Sequence, residues 1–174
     1  MIRKPAPLDY NALMEYAVRT LTGRAQSASE LRRKLVQRAA NRDDVQRVFA
    51  ALKEAGALND LKFAESFAVS RLESRGFGRM RVIQDLRARQ VGQKIADEAV
   101  DSAYRDTDEF ELIDGYIGKK FRGKDLPVYL ADEKNLQSAF RKLRMAGFSS
   151  GNSIRALKKY SQRADELEDS EEPV

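Results

Sequence analysis

The sequence contains no cysteine and no histidine. That removes thiol nucleophiles, Cys/His metal sites and imidazole acid–base catalysis together. Lack of cysteine suits a reducing compartment but costs nothing elsewhere, so it says little about location. Tryptophan is absent and aromatics make up only 8% of residues. Proline stands only at positions 5, 7, 127 and 173, which leaves residues 8–126 free of that helix breaker. No run approaches the roughly 18 apolar residues of a membrane span. The first seven residues, Met1 to Pro7, hold no apolar core of signal-peptide length. A cytoplasmic protein without membrane contact is expected. No segment sustains period-two alternation, so strands are not expected either.

Charge is what the chain has in quantity. Hydrophobic residues make up 42% and charged ones 34%, a balance that permits a packed core with a well-solvated surface. Lys and Arg number 32 against 27 acids, a net of +5. Six acids and no base stand in the last ten residues, so the preceding chain carries +11. A basic body with a short acidic end is compatible with a polyanionic partner and equally with an ordinary solvated helical surface. Residues 164–174 read as a disordered acidic tail that solubilises the chain or masks its basic face.

Helical periodicity runs through the chain. Val45, Val48, Phe49 and Leu52 fill the i, i+3, i+4, i+7 template. Leu31, Leu35 and Val36 mark the helix before it, introduced by Ser27 and Glu30 at capping-box spacing. The pattern then repeats. Glu15-Tyr16-Ala17-Val18-Arg19-Thr20-Leu21 matches Ser66-Phe67-Ala68-Val69-Ser70-Arg71-Leu72 at a shift of 51 residues. The same shift takes Leu31 to Val82, Leu35 to Leu86 and Arg38 to Arg89, and the Val45 helix onto Ala96, Ala99, Val100 and Ala103. A looser third copy begins with Leu112, Ile113, Tyr116 and Ile117, weakened by Gly115 and Gly118. After a connector around Arg122 to Ala131 with Pro127, it continues through Leu136, Phe140 and Leu143 to Gly147, then Ile154 and Leu157.

The expected fold is therefore all-α: an elongated stack of three tandem three-helix repeats, about nine helices. The boundaries fall near 1–8 for an N-terminal extension, 9–57, 58–106 and 107–163 for the repeats, and 164–174 for the tail.

Three stretches carry a resemblance to a known family. They are Ala55-Gly56-Ala57-Leu58-Asn59-Asp60 leading into Phe63-Ala64, the run from Arg75-Gly76-Phe77-Gly78 to Arg87, and Leu143-Arg144-Met145-Ala146-Gly147-Phe148 followed by Ile154. In their order and spacing the chain, over residues 10 to 160, resembles the RecX family of bacterial recombinase regulators. It departs from that pattern where the family has glycine between second and third helices, for Ala39 and Gln90 stand there. The resemblance implies a protein that binds RecA, lies in the groove of its nucleoprotein filament, and restrains ATPase, strand exchange and co-protease activity. It implies no cofactor, a monomer, a part in DNA repair, and in some members direct DNA binding.

Candidate contacts to filament or DNA are the basic residues of the repeats: Arg32, Arg33 and Arg38 in the first; Arg71, Arg75, Arg79, Arg81, Arg87 and Arg89 in the second; Lys119, Lys120, Arg141, Lys142 and Arg144 in the third. Arg38 and Arg89 are equivalent under the shift, as a stripe tracking phosphates would require. Against this stands the plain alternative of solvated helix faces with intrahelical partners such as Glu30–Lys34. Reversing Arg79, Arg81 and Arg87 together is expected to weaken binding without unfolding the chain. Tyr16, Phe49, Phe63, Phe67, Tyr116 and Phe140 fall at core-facing positions, while Phe77 is either an exposed contact or a plug between repeats. Gly76-Phe77-Gly78 lacks the third glycine and preceding strand of a dinucleotide loop. Asp43, Asp44, Asp106, Asp108 and Glu109 stand where helix N-termini favour acids, so they make poor evidence of a metal or catalytic site. A free-standing nucleic-acid-binding protein is the alternative function.

Overall fold

The computed structural model describes residues 6–170, whose regular elements are all helices with no strand among them. The helices are α1 (Tyr10–Gly23), α2 (Ala28–Arg38), α3 (Arg42–Glu54), α4 (Asp60–Arg75), α5 (Arg79–Ala88), α6 (Gln93–Ala103), α7 (Glu109–Lys120), α8 (Leu126–Ala131), α9 (Glu133–Met145) and α10 (Ser150–Lys158). A 3₁₀ helix, Gln162–Ser170, follows. The helical repeat is visible in the starts: α2 begins at Ala28 and α5 at Arg79, α3 at Arg42 and α6 at Gln93, each pair 51 residues apart.

By packing, the described residues fall into two compact units. One comprises residues up to 67 with 86–99, the other 68–85 with 100 onward. In the first, α1 packs on α2 and α3 around Leu13, Ala17, Leu31, Leu35, Val45, Val48 and Leu52, all buried. Phe49 joins this cluster half-buried, and Val36, read from the sequence as a core marker, faces solvent. The capping box forms as the spacing predicts. Ser27 Oγ accepts from Glu30 N at 3.1 Å, and Glu30 accepts from Ser27 N at 3.2 Å.

In the second unit the core gathers Ile113, Ile117, Leu130, Leu136, Leu143, Phe148, Ile154 and Leu157. Two segments differ from the sequence reading. The connector around Pro127 contains a helix of its own, α8. Asp125 caps it by accepting from Val128 N, and Pro127 sits in the first turn, where its missing N–H has no intrahelical partner to lose. The acidic end overlaps the 3₁₀ helix Gln162–Ser170, and Ala164 and Leu167 bury against the same core. Glu171 and Glu172 lie outside the described residues, as do Met1 to Pro5 of the N-terminal extension. Leu8 of that extension is tied down: its N–H donates to Arg38 O and its carbonyl accepts from Ala40 N, at 2.7 and 2.8 Å.

The two turns without glycine find different solutions. At the end of α2, Ala39 stays extended and the bridge from Leu8 satisfies the chain. At the end of α5, Gln90 takes φ +60°, while Gln90 N donates to Arg87 O and Val91 N to Leu86 O. That is the Schellman closure normally given to glycine, made with a side chain.

Candidate interaction surface

Helices α2, α4, α5, α7 and α9 and, for Arg89, the turn after α5 carry the basic residues singled out above, and the structure sorts them into two kinds. The recurrent position is one of packing. In the first unit the Arg38 guanidinium lies over the Tyr16 ring at 5.2 Å, and that of Arg89 over the Phe67 ring at 4.9 Å. Tyr16 and Phe67 are themselves equivalent under the 51-residue shift, so the repeat conserves a cation–aromatic pair. Arg89 also donates to both Glu30 carboxylate oxygens at 3.3 Å, and its carbonyl accepts from Ser27 Oγ at 2.6 Å. Glu30 thus serves Arg89, which sequence spacing within one helix, pointing to Lys34, had no means of showing. Arg32 donates to Gln46 Oε1 at 2.9 Å and rests over Phe49 at 4.8 Å.

Several arginines of the second unit are likewise committed. Arg71 and Arg81 converge on Asp85, at 3.7 and 3.0 Å. Arg81 also donates to Met145 O at 3.2 Å and lies 5.4 Å from the Phe77 ring. Arg79 pairs with Asp101. Arg144 donates to Phe148 O at 2.7 Å, and Lys142 lies 5.4 Å from the Phe121 ring. Reversing Arg79 and Arg81 would set like charges against Asp101 and Asp85 and withdraw the bond to Met145 O. Such a reversal is therefore expected to disturb local packing as well as binding.

The remainder are free. Among the described residues Arg33, Arg75, Arg87, Lys119, Lys120 and Arg141 are exposed and make no ion pair. Lys119 and Lys120 end α7, where cations suit the helix dipole.

A backbone junction joins the start of α5 to the end of α9 in the second unit. Gly78 N donates to Ala146 O at 2.8 Å and Met80 N to Gly147 O at 3.2 Å. A Cβ on Gly78 would stand 2.3 Å from Gly147 O, and one on Gly147, at φ +91°, 2.2 Å from Arg81 N. Only paired glycines admit so close an approach. Phe77 packs half-buried against the core beside this junction, and its carbonyl accepts from Tyr104 Oη at 2.7 Å. It is a plug within its unit. Burial pushes the Tyr104 hydroxyl up to about 12, against the opposing pull of Arg79.

Acidic residues flagged by the sequence serve helix ends. Asp108 caps α7 by accepting from Phe110 N at 2.7 Å, and Asp43 and Asp44 lie in the first turn of α3. Glu109 reaches from α7 to the start of α10, accepting from Ser149 N at 2.9 Å, Asn152 Nδ2 at 2.6 Å and Ser149 Oγ. Burial raises this carboxyl, yet the hydrogen bonds from Ser149 and Asn152 outweigh it and hold the group below the ordinary carboxylate range. Among the described residues no three acids gather as a metal would need. No described helix is long and apolar enough to cross a membrane.

Sequence reasoning missed two exposed methionines beside the glycine junction, Met80 and Met145. A methionine in a periodic helix reads as core. The available signal was position, for Met145 stands one turn after Arg141 on the polar side of α9.

Comparison with known proteins gives a consistent result. Residues 59–100 match the family model for the second three-helix domain of RecX. Regulatory protein RecX of Trichlorobacter lovleyi is 31% identical over 132 residues, covering 76% of this chain and 80% of that protein. Regulatory protein RecX of Escherichia coli (strain SE11) is 30% identical over 145 residues, covering 78% and 83%. The crystal structure of RecX from Lactobacillus salivarius superposes with a TM-score of 0.68 at 15% identity, covering 87% of this chain and 96% of that one, a likeness of fold.

Proposed function

This chain belongs to the RecX family of regulatory proteins, and from that premise we propose that it regulates a RecA recombinase by docking on its nucleoprotein filament in the cytoplasm. In this reading it catalyses no reaction and needs no cofactor. It lies as a monomer in the filament groove, its three repeats (near 9–57, 58–106 and 107–163) following the filament. Occupying that groove would restrain ATPase, strand exchange and co-protease activity during DNA repair.

The observation that carries the reading is the set of exposed cations with no ion pair, Arg33, Arg75, Arg87, Lys119, Lys120 and Arg141, among the described residues of a chain with net charge +5. A filament presents phosphate and carboxylate, and an unpaired guanidinium or ammonium gains from either without first breaking an internal bond. Arg38 and Arg89, by contrast, support the fold and are not proposed as contacts.

The test is the RecA ATPase on single-stranded DNA with this protein at substoichiometric concentration. Inhibition is expected, and lower potency when Arg33, Arg75, Arg87 and Arg141 are replaced by glutamine. The net positive charge also favours a second reading, a free-standing nucleic-acid-binding protein. That reading gains if ATPase is untouched while DNA alone binds with a steep dependence on salt.

A further inference from the structure

Met80 and Met145 are far apart in sequence, yet their backbones meet at the glycine junction. Met80 N donates to Gly147 O, and the Arg81 guanidinium donates to Met145 O, each at 3.2 Å. Gly78 N closes the junction on Ala146 O at 2.8 Å. The base is therefore fixed by three hydrogen bonds and a contact that tolerates no Cβ. The two side chains rooted in it are nonetheless 55% and 70% exposed.

Isolated exposed apolar residues are ordinary, and Val18, Val36 and Val69 are of that kind. Two exposed thioethers on one rigid seat are different. Methionine is unbranched and polarisable, and it moulds to irregular apolar partners. Arg79 and Arg81 flank Met80 in the chain, and Arg141 and Arg144 precede Met145 on α9. Two of these are offset by aspartates, Arg79 by Asp101 and Arg81 by Asp85, and Arg141 has no ion pair among the described residues. Arg71 shares the Asp85 carboxylate with Arg81, so with exposed Arg141 positive charge is in excess beside the two methionines.

We propose that Met80 and Met145, with their neighbouring arginines, form a docking point for a protein segment that bears an apolar side chain flanked by carboxylates. This rests on the reading that the chain docks on a protein-coated filament, and it separates protein contact from nucleic-acid contact. A phosphate backbone would use the arginines and leave both thioethers in water. A protein segment uses both, guanidinium forks on carboxylates and thioethers on the apolar residue.

The test uses the full chain with M80Q and M145Q together, a change to a good helix former at two exposed positions. Thermal stability is expected to hold. The concentration that half-inhibits the RecA ATPase should rise about tenfold, as for loss of a central interface anchor. Binding to a bare single-stranded oligonucleotide should stay as in the wild type, and M80L with M145L should retain most potency. If the glutamine pair lowers stability, M145Q alone serves, since that side chain is the more exposed. Unchanged inhibition by the glutamine variant overturns the proposal while the functional reading stands. Equal losses against filament and bare DNA overturn it in favour of nucleic acid. A wild-type protein that fails to inhibit removes the functional reading, and this proposal with it.

Discussion

Replacing Gly147 by alanine should be among the most damaging single-methyl changes in this chain. The residue has φ +91°, where an L side chain is strained by about 1–2 kcal/mol. The added Cβ would also stand 2.2 Å from Arg81 N, 2.5 Å from Arg81 Cβ and 2.8 Å from Gly78 O. Two of these are backbone atoms, so no side-chain rotation relieves the overlap. The start of α5 must withdraw from the end of α9. Withdrawal breaks Gly78 N to Ala146 O and Met80 N to Gly147 O, and a buried group left unbonded costs about 1–3 kcal/mol. We expect a loss of roughly 3–5 kcal/mol, a large part of a typical domain's 5–15 kcal/mol. Gly118 provides the control. It lies in α7 with nothing within 4 Å of its would-be Cβ. There alanine should stabilise by about 0.5–1 kcal/mol, because it lowers the entropy cost of forming helix. Urea denaturation followed by circular dichroism measures both. If G147A stays within 1 kcal/mol of wild type, or both substitutions move stability the same way, the close approach is not as described.

Two further outcomes follow from the site geometry. R89L should destabilise the chain by about 1–2 kcal/mol in thermal denaturation through loss of the Glu30 bonds and the Phe67 contact, while R33Q and R87Q should leave stability unchanged; equal effects would contradict the division into packing and free cations. Glu109 has a folded pKa below its unfolded value near 4.3, so its stabilisation is present above that value and is lost as pH falls through the folded one. E109Q should therefore be less stable than wild type at pH 7, with the gap closing in acid; a gap that widens in acid would reverse the assigned direction.

The helices were legible because their signals are local. The Ser27–Glu30 capping box, the Val45–Leu52 stripe and the 51-residue shift each involve neighbours in sequence or a repeated pattern. Misreadings arose where packing partners lie far along the chain. Val36 satisfies apolar periodicity beside Leu35 yet faces water, because the core stripe of α2 is centred on Leu31 and Leu35. Pro127 looked like a breaker, but a proline in a first turn is harmless once Asp125 caps the helix. Leu167 and Ala164 were hidden among acids in a segment whose average composition reads as disordered, yet these two apolar residues at i, i+3 bury against the core. The glycine junction was visible as two glycine-bearing stretches, and nothing in either stretch said they would meet.

The basic stripe shows why recurrence in a repeat protein is an ambiguous sign of function. A position repeated in successive units is constrained by whatever successive units share, and packing is what they always share. Arg38 and Arg89 recur because each lies over an aromatic that recurs with it, Tyr16 and Phe67. Their alanine variants would lower activity by loosening the helices, and a binding assay alone would credit them with contact. The cations that can meet a partner at little internal cost do not track the repeat in this way: position 84, equivalent to Arg33, is Gln84, and position 90, equivalent to Arg141, is Gln90, whereas Arg75 is equivalent to Arg24. Contact residues in such a fold should thus be sought among exposed cations without an internal partner, whether or not they recur, with stability measured beside binding for every variant, because only a loss of binding without a loss of stability separates the two roles.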